Sequence, residues 1–112
     1  MQVLPSLITG GVERGTIEIT QSLVAEGWRA IVVSNGGPMV HEVERAGGLH
    51  VKLPVGRKNP LTAYININRL VKLIEEHQVD ILHARSRLPA WSALCAARKT
   101  GVKFITTFHG NY

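Results

Sequence analysis

The sequence predicts an α/β domain: a Rossmann-like, doubly wound parallel sheet of five strands in the order 3-2-1-4-5. Three observations lead there. Short apolar runs alternate with longer stretches of helical spacing. Glycines punctuate the junctions between them. Each strand-to-strand connection is long enough to hold a helix, which parallel pairing requires. Right-handed crossovers then make 3-2-1-4-5 the natural arrangement.

Gln2-Val3-Leu4-Pro5 reads as a short first strand, and Thr9-Gly10-Gly11 as the turn after it. Val12 to Glu26 reads as a helix, with Ile17, Ile19, Leu23 and Val24 as its buried positions and Gly27 as its stop. Ala30 to Ser34 is a continuous apolar strand of the kind buried on both faces. Asn35-Gly36-Gly37-Pro38 is a turn, and Pro38 suits a first helical turn. Met39 to Ala46 is a short helix ended by Gly47-Gly48, and Leu49 to Leu53 is the third strand. Gly56-Arg57-Lys58-Asn59-Pro60 is a basic loop before a long helix from Leu61 to His77. Val79 to His83 is the fourth strand, and Ala84-Arg85-Ser86-Arg87 the loop beyond it. Leu88 to Thr100 is an Ala-rich helix stopped by Gly101. Val102 to Phe108 is the fifth strand, with His109-Gly110 at its end.

The chain has 112 residues, 45% of them hydrophobic and 19% charged. That is enough apolar material for one real core, which excludes a disordered chain, and too little length for two domains. No apolar run approaches the roughly 20 residues of a membrane-spanning helix. The N-terminus lacks the basic and apolar regions of a secretory signal. The single cysteine, Cys95, excludes an internal disulfide framework and a cysteine-rich zinc site, so a reducing, cytoplasmic setting is expected. Cys95 itself reads as a packed residue of the last helix, and Trp91 as a core or interface residue. No arrangement of histidines and acids has metal-ligand spacing, so no metal is expected.

The net charge of +5 is uneven. Residues 1–56 hold four Lys/Arg against five acids, and residues 57–112 hold nine against three. A basic half fits phosphates, nucleotides or an anionic lipid surface. It equally fits a plain solvated surface. Only 5% of residues are aromatic, which is poor for stacking on single-stranded nucleic acid, and no nucleic acid partner is expected.

The topology places a site. In open α/β sheets, ligands bind beyond the carboxyl ends of the strands, where the strand order reverses. Here that point lies between strands one and four. Gly10-Gly11 lies at a helix N-terminus, where free N–H groups attract phosphate; the pair also fits a tight packing turn. The segment matches neither GxGxxG nor the P-loop. Arg85 suits phosphate recognition. Lys58 can reach the same edge or belong to a surface loop. His109, at the end of the fifth strand, suits hydrogen bonding near neutral pH. Its position leaves a structural and a catalytic role equally open. His83 reads as a packed or capping residue; His41, His50 and His77 read as surface or structural.

Three segments resemble the N-terminal domain of GT-B glycosyltransferases of the large retaining family 4. They are Pro5 to Gly15, Val79 to Ser86, and Phe104 to Gly110. They occur in order, and the likeness spans essentially the whole chain. The resemblance implies the acceptor-side domain of a two-domain enzyme, here residues 1–112, that moves a sugar from a nucleotide-sugar to a glycan or lipid-linked acceptor in envelope polysaccharide synthesis. The nucleotide-sugar is substrate, and no cofactor is implied. By the same resemblance, Gly10 and Gly11 face the donor diphosphate, and His109 is the catalytic candidate beside the reacting sugar. Lys58, Arg85, Ser86 and Gly110 are acceptor-side candidates. The paired glutamates of the family's C-terminal domain are absent from the sequence. A truncated domain is therefore expected, inactive alone and prone to self-associate through uncovered edges. Peripheral contact with the inner face of the plasma membrane is a further expectation from the basic half. The alternative is a stand-alone module that binds a phosphorylated ligand or a partner protein without catalysis.

Overall fold

The computed structural model describes residues 1–5, 11–55, 59–85 and 87–106. Strands and helices alternate in the order β1 (Gln2–Val3), α1 (Gly11–Ala25), β2 (Ile31–Ser34), α2 (Val40–Arg45), β3 (Leu49–Lys52), α3 (Pro60–His77), β4 (Ile81–Ala84), α4 (Arg87–Thr100) and β5 (Lys103–Thr106). The strands form one sheet in the order β3-β2-β1-β4-β5. Every pairing is parallel, as the helical crossovers require. The fold class and strand order expected from the sequence are those observed.

Local chemistry sets the element ends. The Asn59 carboxamide oxygen accepts the Leu61 N–H at 2.9 Å, and Pro60 follows as the first residue of α3. At its other end Gln78 adopts the left-handed conformation (φ 53°), and its N–H is donated to the Ile74 carbonyl. Gly27 and Gly101, both at positive φ, close α1 and α4.

Side chains alternate across the sheet, and the two faces differ. Toward α3 and α4 point Val3, Ile31, Val33, Leu82 and Ala84, all buried. Leu70 and Ile74 of α3 and Ala93, Ala96 and Ala97 of α4 meet them. The small alanines let α4 lie close to the sheet. Toward α1 and α2 point Leu4 and Val32, packed with Ile17, Met39 and Val43. Gln2 and Ser34 share that second face and are buried too.

One burial expectation needs correction: Ile19 is 41% exposed, because Thr16, Ile17 and Thr20 form the face that α1 turns to the sheet. Of the two readings of Trp91, core or interface, its 53% exposure removes the first, because Ser92, Ala93, Ala96 and Ala97 take the inner side of α4. Cys95 is partly buried.

Candidate functional site

The strand order reverses between β1 and β4, as the pairing of β1 with both β2 and β4 shows. From this point α1 departs to one side and α4 to the other. The carboxyl ends of β1 and β4 therefore border the crevice where a ligand of such a sheet sits. Gly11 is the first residue of α1. Arg85 directly follows β4, and its N–H is donated to the Val3 carbonyl at 2.9 Å. The structure thus brings Gly11 and Arg85 to one edge. Gly10, Lys58, Ser86, His109 and Gly110 lie outside the described residues. Their neighbours are described: Asn59 opens α3, Ala84 ends β4, and Thr106 lies in register with Ala84.

Arg85 is turned inward. It is 6% exposed, with its guanidinium between the sheet and α1. One terminal nitrogen, Nη1, donates to Gln2 Oε1 at 3.3 Å. The other, Nη2, lies so close to Gly15 that a Cβ there would stand 2.8 Å from it. Nε is buried without a partner. Leaving such a donor unsatisfied costs roughly 1–3 kcal/mol. Burial lowers the Arg85 pKa. An arginine nonetheless stays protonated, so the site holds a buried cation with no carboxylate beside it among the described residues.

The network continues into α1. The Gln2 amide nitrogen donates to the Thr16 carbonyl and to Thr20 Oγ1, each at 3.3 Å. Thr20 in turn donates to the Thr16 carbonyl at 2.8 Å. Sequence reading missed Gln2, Gly15, Thr16 and Thr20. Two signals pointed to them: a glutamine inside an apolar strand, and a glycine inside a helix. The glycine costs the helix about 1 kcal/mol against alanine and so marks a close approach.

A second polar group sits at the same end of β2. Ser34 Oγ and His50 Nε2 share a hydrogen bond of 2.7 Å, and Ser34 Oγ also accepts the Gly36 N–H at 3.0 Å. The Asn35 N–H is donated to the Pro5 carbonyl at 2.9 Å, which ties this turn to the end of β1. Burial lowers the His50 pKa; Glu44 opposes and Lys52 reinforces the shift.

The opposite edge is built differently. A cleft of about 270 Å³ opens at the amino ends of β1 and β4, lined among others by Ile19, Leu23, Trp28 and Asp80. Of the residues expected at the site, the two described ones, Gly11 and Arg85, do not line it.

A five-stranded parallel sheet in the order β3-β2-β1-β4-β5, with helices on both faces, defines a Rossmann-like α/β domain. Residues 9–112 match the model of Glycosyltransferase Family 4, and the chain belongs to that family. It is similar to the crystal structure of a glycosyltransferase from Rickettsia africae ESF-5, with 44% identity and a TM-score of 0.89. The match covers 99% of this chain, which spans 29% of the length of that protein. The C-terminal domain of a hydrogenase from Pyrococcus furiosus matches 96% of this chain and 90% of its own, at a TM-score of 0.65 and 11% identity. That likeness concerns the fold alone. No curated protein matches the sequence.

Proposed function

We propose that the chain is the acceptor-side domain of a glycosyltransferase that moves a sugar from a nucleotide-sugar donor to a glycan or lipid-linked acceptor in envelope polysaccharide synthesis. The observation that carries this reading is the family match over residues 9–112, at the sheet edge where α1 begins. Departure of a nucleoside diphosphate builds negative charge on its phosphates. N–H groups fixed at the start of α1, from Gly10 and Gly11 onward, would stabilise that charge as it develops. His109 orients the reacting sugar or the acceptor hydroxyl. Lys58, Ser86 and Gly110 are assigned to the acceptor; Arg85, also an acceptor candidate from the sequence, has its guanidinium buried under α1. The chain spans 29% of the glycosyltransferase it matches, so residues 1–112 alone are expected to be inactive in transfer.

The test uses the full-length enzyme. His109→Ala and Gly11→Val each abolish or sharply reduce release of nucleoside diphosphate in a screen of donor sugars. Near-wild-type rates in both variants overturn the reading.

A membrane-side location has its own support. Leu61, Tyr64 and Ile65 are exposed on the outer face of α3, and exposed Arg69 and Lys72 continue that stripe at helical spacing. Trp91 is exposed next to Ser92, which donates to the Ala63 carbonyl of α3. Aromatic, aliphatic and basic groups on one face suit the surface of an anionic bilayer. Among the described residues no helix is long and apolar enough to cross a membrane. Neutralising Arg69 and Lys72 is expected to reduce co-sedimentation of the enzyme with anionic vesicles. Unchanged sedimentation rejects the contact.

A further inference from the structure

We infer that Arg85 is a positioning residue for the donor's diphosphate and not an acceptor contact: its buried guanidinium supplies, from beneath α1, the positive charge that the start of that helix needs to hold an anion. The inference rests on the glycosyl-transfer reading and assigns a role within it.

The geometry removes the other two roles. An acceptor contact needs an exposed head group, and Arg85 is 6% exposed with its guanidinium against α1. A structural ion pair needs a carboxylate, and none lies in reach among the described residues. Its one side-chain hydrogen bond, to Gln2, is long at 3.3 Å, and Nε has no partner. An apolar side chain of the same size would spare the burial of a charge, though it would leave Gln2 Oε1 without its donor. A buried charge is kept here although its pairing is incomplete.

Its location explains why. Gly15 lies one turn into α1, four residues from its first residue, Gly11. The guanidinium nests there because Gly15 has no Cβ. The start of a helix already carries positive partial charge and free N–H groups. A buried cation one turn below adds to that field, and it is screened little by solvent. Two positive sources converge on one edge, and Glu13, the acid of the first turn of α1, makes no ion pair with Arg85. An anion of high charge density at that edge balances both. Gln2 holds the guanidinium from one side and the Thr16 carbonyl of α1 from the other, so the charge and the helix move as one piece.

The experiment uses the full-length enzyme and inorganic pyrophosphate as the probe. Pyrophosphate binding is measured by calorimetry at low salt for the wild type, Arg85→Met and Arg85→Lys. Arg85→Met weakens binding about tenfold, the size of one charge-assisted interaction, while Arg85→Lys retains most of the affinity. Arg85→Met raises the donor KM and leaves the acceptor KM unchanged. Two results overturn the inference: unchanged pyrophosphate affinity in Arg85→Met, or a raised acceptor KM with donor KM unchanged. If Arg85→Met does not fold, Arg85→Gln is measured in the same way, and unfolding of both assigns Arg85 to stability and overturns the role. Arg85-dependent pyrophosphate binding by a wild type with no transfer activity rejects the glycosyl-transfer reading and leaves the anion site standing. Transfer activity with pyrophosphate binding indifferent to Arg85 rejects the site alone.

Discussion

The two faces of the sheet are made from the same five strands and do different work. The face under α3 and α4 is mostly apolar, with Val3, Ile31, Val33, Leu82 and Ala84 interlocking with leucine, isoleucine and alanine from the helices, while Asn66 and Ser92 are the buried polar residues of those helices among the described residues. The face under α1 and α2 mixes Leu4 and Val32 with Gln2, Ser34, His50 and Arg85. Apolar burial needs no particular partner, so the first face supplies stability with wide tolerance. Each buried polar group on the second face needs a partner at a set distance. It therefore gains less stability and fixes more geometry, and it is the face that α1 covers. One sheet thus separates a mostly apolar side from a side that carries a polar network.

The largest expected effect tests the apolar face. Leu82→Ala, at a fully buried position, costs about 2–5 kcal/mol in urea unfolding. A loss of only a few tenths would mean that this face is not the main core. Next comes the packing of α1 and α2 on the other face. A Cβ on Gly48 would stand 2.8 Å from Thr20 Cγ2 and 3.3 Å from the Val43 carbonyl. Gly48→Ala therefore costs about 1–3 kcal/mol by overpacking, and a neutral outcome would show that α2 moves freely over β3.

A smaller effect tests the coupling between Arg85 and α1. Gly15→Ala brings a methyl group against the guanidinium and is expected to destabilise the wild type. In an Arg85→Met background the same change should stabilise by about 0.5–1 kcal/mol, because only the helix-propensity gain remains. The four proteins form a double-mutant cycle, and additive effects would break the proposed contact. The smallest effect concerns His50. Its folded pKa lies below the usual value of 6.5, so the fold favours the neutral ring. That stability is fully present above about pH 6.5 and is lost as pH falls through the lower folded value. The wild type should lose more melting temperature than His50→Gln between pH 7.5 and pH 5. Parallel profiles would remove His50 from the polar face's contribution.

Much of the fold was legible because its signals are local. Apolar runs such as Ala30 to Ser34 name a buried strand wherever they occur, and the glycines at 27, 47 and 101 stop helices by backbone conformation alone. Parallel order then follows from connection length. The switch point followed in turn, with Gly11 at the start of α1 and Arg85 directly after β4. Ile19 misled because helical spacing alone does not say which apolar residue faces the sheet. The inward turn of Arg85 was not legible either. It depends on Gln2 at the other end of the chain and on the missing Cβ of Gly15, and neither is a neighbour in sequence.

The sequence by itself determined the class of fold, the order of the strands, the point where that order reverses and the family likeness, since all of these rest on periodicity and on short motifs. Only the tertiary structure decided which face of the sheet would be polar and where a buried charge would lie. The reason is that a charged or amide side chain is settled by whichever partners the whole fold brings within about 3 Å of it, and those partners come from distant parts of the chain.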